Sequence, residues 1–164
     1  MAHHLTALIL KNRYDENQAN TYDLHGIDLG YDLTMFPIDH YYTACWQKIM
    51  NIEGCLPVQN GHPSLFPNEA VVSVLMSKIS GLDEPMYAII FSDYFGGIGK
   101  QWAHVYEGSQ LADRYFPTIN AALQVLGVTA NEGMDEFDTV NLGKYRSQPD
   151  YLDKYVDLAD ELGV

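Results

Sequence analysis

The stretch from Met86 to Glu107, MYAIIFSDYFGGIGKQWAHVYE, leaves this chain little freedom in how it folds. MYAIIFSD is rich in β-branched and aromatic residues and has no internal breaker. QWAHVYE alternates, with Trp102, His104 and Tyr106 on one face and Ala103 and Val105 on the other. Between the two runs lies Gly96-Gly97-Ile98-Gly99, and glycine adopts positive φ at little cost. Two strand-like runs joined by glycines predict a β-hairpin with Gly96, Gly97 and Gly99 in its turn. With the turn centred on Gly97, Asp93 is expected nearly opposite Gln101.

The remaining chain supplies elements to pack around that hairpin. Leu5 to Leu10 (LTALIL) reads as a short buried strand. Residues 11–31 are polar and turn-rich and read as a long loop, a candidate binding loop. Asp32 to Ile38 reads as a second strand, with Pro37 at its end or on an edge. Asp39 is a suitable N-cap for a helix reaching about Met50, because Tyr42, Cys45, Trp46 and Ile49 share one helical face. A punctuated connection leads to a second helix, with Asn68 as its cap and Gly81 as its stop. Pro117 or Thr118 opens a third helix on Ile119, Ala122, Leu123 and Leu126, ended by Gly127. Residues 132–148 read as loop, and Asp150 caps a last amphipathic helix. The sum is a single α+β domain over residues 1–164. A small, mostly antiparallel sheet is centred on the hairpin, with about four helices against one face and water on the other.

Composition limits the function classes. The net charge is −13, from 22 acidic against 9 basic residues. That balance disfavours nucleic acid, whose phosphates need a basic surface, and anionic membranes. It suits a basic protein partner, since opposite charge steers encounter. No apolar run reaches the ~18 residues of a membrane span. The N-terminal sequence lacks a basic region and a small-residue cleavage site, so a cytoplasmic location is expected. Cys45 and Cys55 form no C-x-x-C pair and read as free thiols.

Catalytic signatures are sparse. The glycine cluster does not match G-x-G-x-x-G, precedes a strand rather than a helix, and has Gln101 after Lys100 where a phosphate loop needs Ser or Thr. The six histidines show no H-E-x-x-H spacing, and Asp135, Glu136 and Asp138 do not follow the calcium-loop pattern. No G-x-S-x-G elbow occurs. No metal, cofactor or catalytic residue is assigned on this basis.

Ser92 to Gln101, SDYFGGIGKQ, resembles a "DYFGGxGxQ" signature of small, acidic, uncharacterised bacterial proteins, some of them similar to immunity partners of polymorphic toxins. A second segment of the same kind runs from Ile119 to Arg146, with LGV at 126–128, DEFD at 135–138 and NLGKYR at 141–146. The resemblance implies a non-catalytic protein that neutralises a basic toxin by binding it. The acids Asp15, Glu16, Asp23, Asp28, Asp135, Glu136 and Asp138 are then expected to meet the partner, with Tyr22 or Tyr94 as anchors. The competing class is a small-ligand binder or enzyme, with its pocket at the hairpin face near Asp93, Gln101, Trp102, His104 and Tyr106. A third class is a module that pairs through an exposed strand edge.

Overall fold

The protein is described by a computed structural model covering residues 2–112 and 116–164. Among the described residues there are six strands: β1 (His3–Lys11), β2 (Ile27–Gly30), β3 (Leu33–Pro37), β4 (Met86–Phe95), β5 (Ile98–Glu107) and β6 (Gln110–Leu111). They form one sheet in the order β2-β3-β1-β4-β5-β6, and every neighbouring pair is antiparallel. The middle of the sheet is therefore the β1–β4 pair, with the predicted hairpin as its β4–β5 half. The helices are α1 (Glu16–Thr21), α2 (His40–Ile49), α3 (Val71–Ser80), α4 (Ile119–Val125), α5 (Glu136–Thr139) and α6 (Lys154–Leu162). The α+β class holds, with more helices than the sequence suggested.

The helices cover both faces of the sheet, not one. Leu8 and Leu10 of β1, Tyr87 and Ile89 of β4 and Tyr106 of β5 face a core shared with α2, α3 and α6. Their neighbours Leu5, Ala7, Ile9, Ala88, Ile90, Ala103 and Val105 face a second core closed by α4 and the 142–145 turn. The strict alternation of β5 suggested a wet face because Trp102, His104 and Tyr106 carry polar atoms. The Tyr106 hydroxyl, the Trp102 N–H and His104 Nε2 find partners inside the protein instead. Tyr106 Oη donates to Pro57 O at 2.8 Å, and Trp102 Nε1 donates to His104 Nε2 at 2.9 Å.

Local chemistry accounts for most boundaries. Asp39, Thr118 and Asp135 are N-caps whose side chains accept from Tyr42 N, Ala121 N and Asp138 N. Gly81 ends α3 in the left-handed conformation, at φ 73°. Residues 11–31 are not one long loop: Asp15 caps α1 by accepting from Gln18 N, and β2 follows. Residues 132–148 likewise hold α5 and a 3₁₀ turn at Leu142–Lys144. Asn68 does not cap α3; its Nδ2 donates to Leu56 O, and Ala70 takes the N-cap position without a side-chain bond. Asp150 opens a 3₁₀ turn, Asp150–Leu152, that precedes α6.

The hairpin turn is two residues long. Phe95 pairs with Ile98, and Gly96 and Gly97 both take positive φ, 61° and 80°. This is the pattern of a type I′ turn, which matches strand twist. The register differs by one residue from that expected: Asp93 faces Lys100, and Ser92 faces Gln101. Gly99 serves a separate need. A Cβ there would lie 1.9 Å from Asp93 O, so only glycine lets the two strands approach at this point.

Candidate functional site

Beyond Phe91 the hairpin leaves the core, and each face of its distal end borders a different concavity. The pleat decides which residue goes where, since successive side chains point to opposite faces. The residues expected to share one pocket are thereby divided. Asp93, Trp102, His104 and Tyr106 lie on the face that carries α2 and α3, and Gln101 lies on the reverse.

On the first face, Trp102 and His104 are roofed by the 56–66 connection. His104 is fully buried. Its Nε2 accepts from Gln59 N at 3.2 Å and from Trp102 Nε1 at 2.9 Å. With two donors aimed at Nε2, the proton of the neutral ring sits on Nδ1, which has no hydrogen-bond partner among the described residues. Burial, aided by the neighbouring charge of His62, lowers its pKa from 6.5 to about 4. Phe66 meets the ring edge-on, with centroids 5.6 Å apart. A ring so enclosed is a neutral core acceptor and has no open approach for a substrate. Asp93 lies further out and pairs with His4 Nδ1 at 2.6 Å.

Still on this face, the strand ends frame a shallow groove of about 400 Å³ between the hairpin tip and the Pro63–Leu65 segment. Phe95 and Ile98 flank the turn directly opposite each other and are 75% and 83% exposed. Leu65, across the groove, is also exposed.

The reverse face carries a cavity of about 360 Å³. Its floor is the sheet: His3, Ser92, Tyr94 and Gln101. Its walls come from Ile119, Asn120, Asp135, Phe137, Gly143 and Arg146. Most of the lining thus belongs to residues 92–101 and 119–146, the two segments that carry the sequence resemblance. Hydrogen bonds hold these side chains in place. Ser92 Oγ bonds His3 Nδ1, and His3 Nε2 bonds Leu142 O at 3.2 Å. A carbonyl only accepts, so His3 Nε2–H donates to Leu142 O and His3 Nδ1 accepts a hydrogen bond from the Ser92 hydroxyl. Gln101 Oε1 accepts from Ile119 N at 2.9 Å, and Gln101 Nε2 donates to Tyr94 Oη at 3.4 Å. Asn120 joins Asp135 Oδ2 at 3.1 Å and accepts from Phe137 N at 2.8 Å. Ser92 lies within the hydrogen-bonded ladder of a central strand, not on a strained turn, so the His3 contact orders the floor.

Most of the acids expected at a partner surface have structural partners. Asp15 and Asp135 are N-caps, and Asp28 accepts from Gly30 N at 2.8 Å. Asp23 bonds Lys154 at 2.7 Å, Tyr155 Oη at 2.8 Å and His25 at 2.9 Å, which ties the chain after α1 to α6. Burial raises its pKa, but these donors outweigh burial and leave the carboxyl below its usual range. Glu136 accepts from Gln124 at 2.6 Å. Glu16 and Asp138 are exposed. Tyr22 is half-buried beside Trp46, with centroids 5.5 Å apart. Tyr94 lines the cavity.

Sequence reasoning passed over His3, Asn120, Phe137 and Arg146 in the cavity and Phe95 and Ile98 at the tip. Asn120, Phe137 and Arg146 lie inside the 119–146 segment that carries the sequence resemblance. His3 gave no signal, because only β1–β4 pairing brings it to Ser92. Cys45 is buried, Cys55 is exposed, and both are free. Among the described residues no three His, Cys, Asp or Glu side chains are grouped to hold a metal, and no helix is long and apolar enough to cross a membrane. No protein-family model, curated protein or solved structure matches the chain.

Proposed function

We propose that this protein is a non-catalytic binding module that takes a basic protein partner on the tip of its β4–β5 hairpin. The observation that carries the reading is the pair Phe95 and Ile98, opposed across the turn and left largely in water. Two large apolar side chains at the end of the hairpin, beside a groove with Leu65 on its far wall, form an exposed apolar surface of the kind partners bind. The net charge of −13 supplies long-range attraction for a basic partner. The expected acidic loop is a weaker candidate for the contact itself, because Asp15, Asp23, Asp28 and Asp135 already serve the fold. The role implied by the sequence resemblance, stoichiometric neutralisation of a basic toxin, needs only such a surface.

The test compares affinity capture by the unmodified protein and by the Phe95→Asp/Ile98→Asp double variant, at low and at raised salt. Both residues are exposed, so the change adds only the local repulsion of two facing aspartates, and a melting temperature measured beside that of the unmodified protein checks that the fold is kept. The expected result is one basic partner retained by the unmodified protein, weakened by salt and lost with the variant. Equal capture by both proteins would overturn the assignment to the tip.

A further inference from the structure

The groove at the hairpin tip continues past the apolar pair. A second hollow, of about 260 Å³, opens beside it toward β1, and Leu65, Phe91 and Asp93 line both. The rows of the sheet set what each part offers, because alternate residues of neighbouring strands share a face. Phe95 and Ile98 form the outermost row, and His4, Asp93 and Lys100 form the next. Asp39 and Gln148 complete the polar side of the second hollow. We infer that the partner enters this groove with an extended segment, placing an apolar side chain against Phe95, Ile98 and Leu65 and a cationic side chain two residues away between Asp93 and Asp39. The inference rests on the tip reading above and names the chemistry that the tip selects.

The charges decide where the cation goes. Asp93 pairs with His4 Nδ1 at 2.6 Å, but its side chain is 60% exposed and a carboxylate accepts several hydrogen bonds. A neutral imidazole donates to it without cancelling its charge. Lys100 stands on the β5 side of Asp93 and keeps a guest cation on the β1 side, toward Asp39. Asp39 is half-buried, and its Oδ1 accepts from Tyr42 N at 2.8 Å. Burial raises its pKa despite its backbone donors, and no lysine or arginine pairs with it among the described residues. Gln148 Nε2 donates to Ile38 O at 2.6 Å, while its Oε1 is buried and has no donor among the described residues. Side chains two apart on a strand lie about 7 Å apart, as Asp93 and Phe95 do on β4, so an apolar residue and a cation at that spacing match the two parts of the groove. A second copy of this chain does not suit it, since each copy would bring a net charge of −13.

Three synthetic pentapeptides test the inference on the full chain by amide chemical-shift titration at low salt. Acetyl-Arg-Thr-Leu-Thr-Arg-amide carries the pattern in both chain directions. Acetyl-Gln-Thr-Leu-Thr-Gln-amide lacks the cations, and acetyl-Arg-Thr-Ser-Thr-Arg-amide lacks the apolar residue. The first is expected to bind at least about fivefold more tightly than either of the others, with shifts at residues 91–100 and at His4, Asp39, His40 and Gln148. The Asp39→Asn/Asp93→Asn double variant is expected to bind it no better than the cation-free peptide, and asparagine still caps α2. No shifts with the first peptide at millimolar concentration, equal binding of either control, or undiminished binding by the double variant would overturn the inference. The tip reading fails separately, when partner capture survives Phe95→Asp/Ile98→Asp. Loss of capture in that variant, together with equal binding of the first two peptides, removes this inference alone.

Discussion

Acidification tests the buried state of His104 quantitatively. In the unfolded chain a histidine takes up its proton near pH 6.5. In the folded protein burial holds His104 neutral until about pH 4. Between those values the unfolded state binds more protons, so stability falls as pH falls. The contribution is fully present above about pH 6.5 and is lost through that window. At about 1.36 kcal/mol per pH unit, the full loss is about 3 kcal/mol, of which about 2 kcal/mol appears between pH 7 and pH 5. The assay is urea unfolding of the wild type and of His104→Gln at both pH values. The variant is less stable at pH 7, since it disturbs the donors from Gln59 and Trp102, but its stability changes about 2 kcal/mol less between the two pH values. Proton NMR of the His104 ring checks the same point directly. Titration near pH 6.5, or equal pH dependence in the two proteins, would refute the claim that this ring is a neutral core acceptor.

Other consequences follow from the hairpin and its supports. Gly99→Ala places a Cβ against the Asp93 carbonyl and unpairs the distal hairpin, whereas Gly96→Ala adds a Cβ with nothing within 4 Å and pays only for its positive φ. Amide exchange at residues 92–101 is therefore expected to accelerate far more in Gly99→Ala. Tyr106→Phe leaves the Pro57 carbonyl without its donor and costs about 1–3 kcal/mol in urea unfolding. Lys154→Met removes one donor from Asp23 and moves the Asp23 pKa back up, measurable by carboxyl-carbon NMR.

The hairpin was legible because its two signals, period-two alternation and a Gly-Gly pair, are local and strong. Its register was off by one because the turn falls between Gly96 and Gly97, not on Gly97. Residues 11–31 hid their elements for a different reason. Helix α1 buries only Ala19 and β2 has only four residues, so neither gives a readable period. The second covered face was hidden by Trp102, His104 and Tyr106. Their polar tips imply water, and only the fold shows that the 56–66 connection supplies the partners. The cavity depends on contacts such as His3 with Ser92, separated by 89 residues, which no local pattern encodes. Its raw material was nonetheless visible, as the two segments, 92–101 and 119–146, that carry the sequence resemblance and whose meeting place the sheet determines.

The central claim concerns where a partner touches this protein. A photo-crosslinking amino acid placed at Ile98 and, separately, at Val156 on α6 tests it inside cells; both positions are exposed. The account predicts a discrete adduct with one basic protein from position 98 and none from position 156. The same adduct from both positions, or none from position 98, would contradict it.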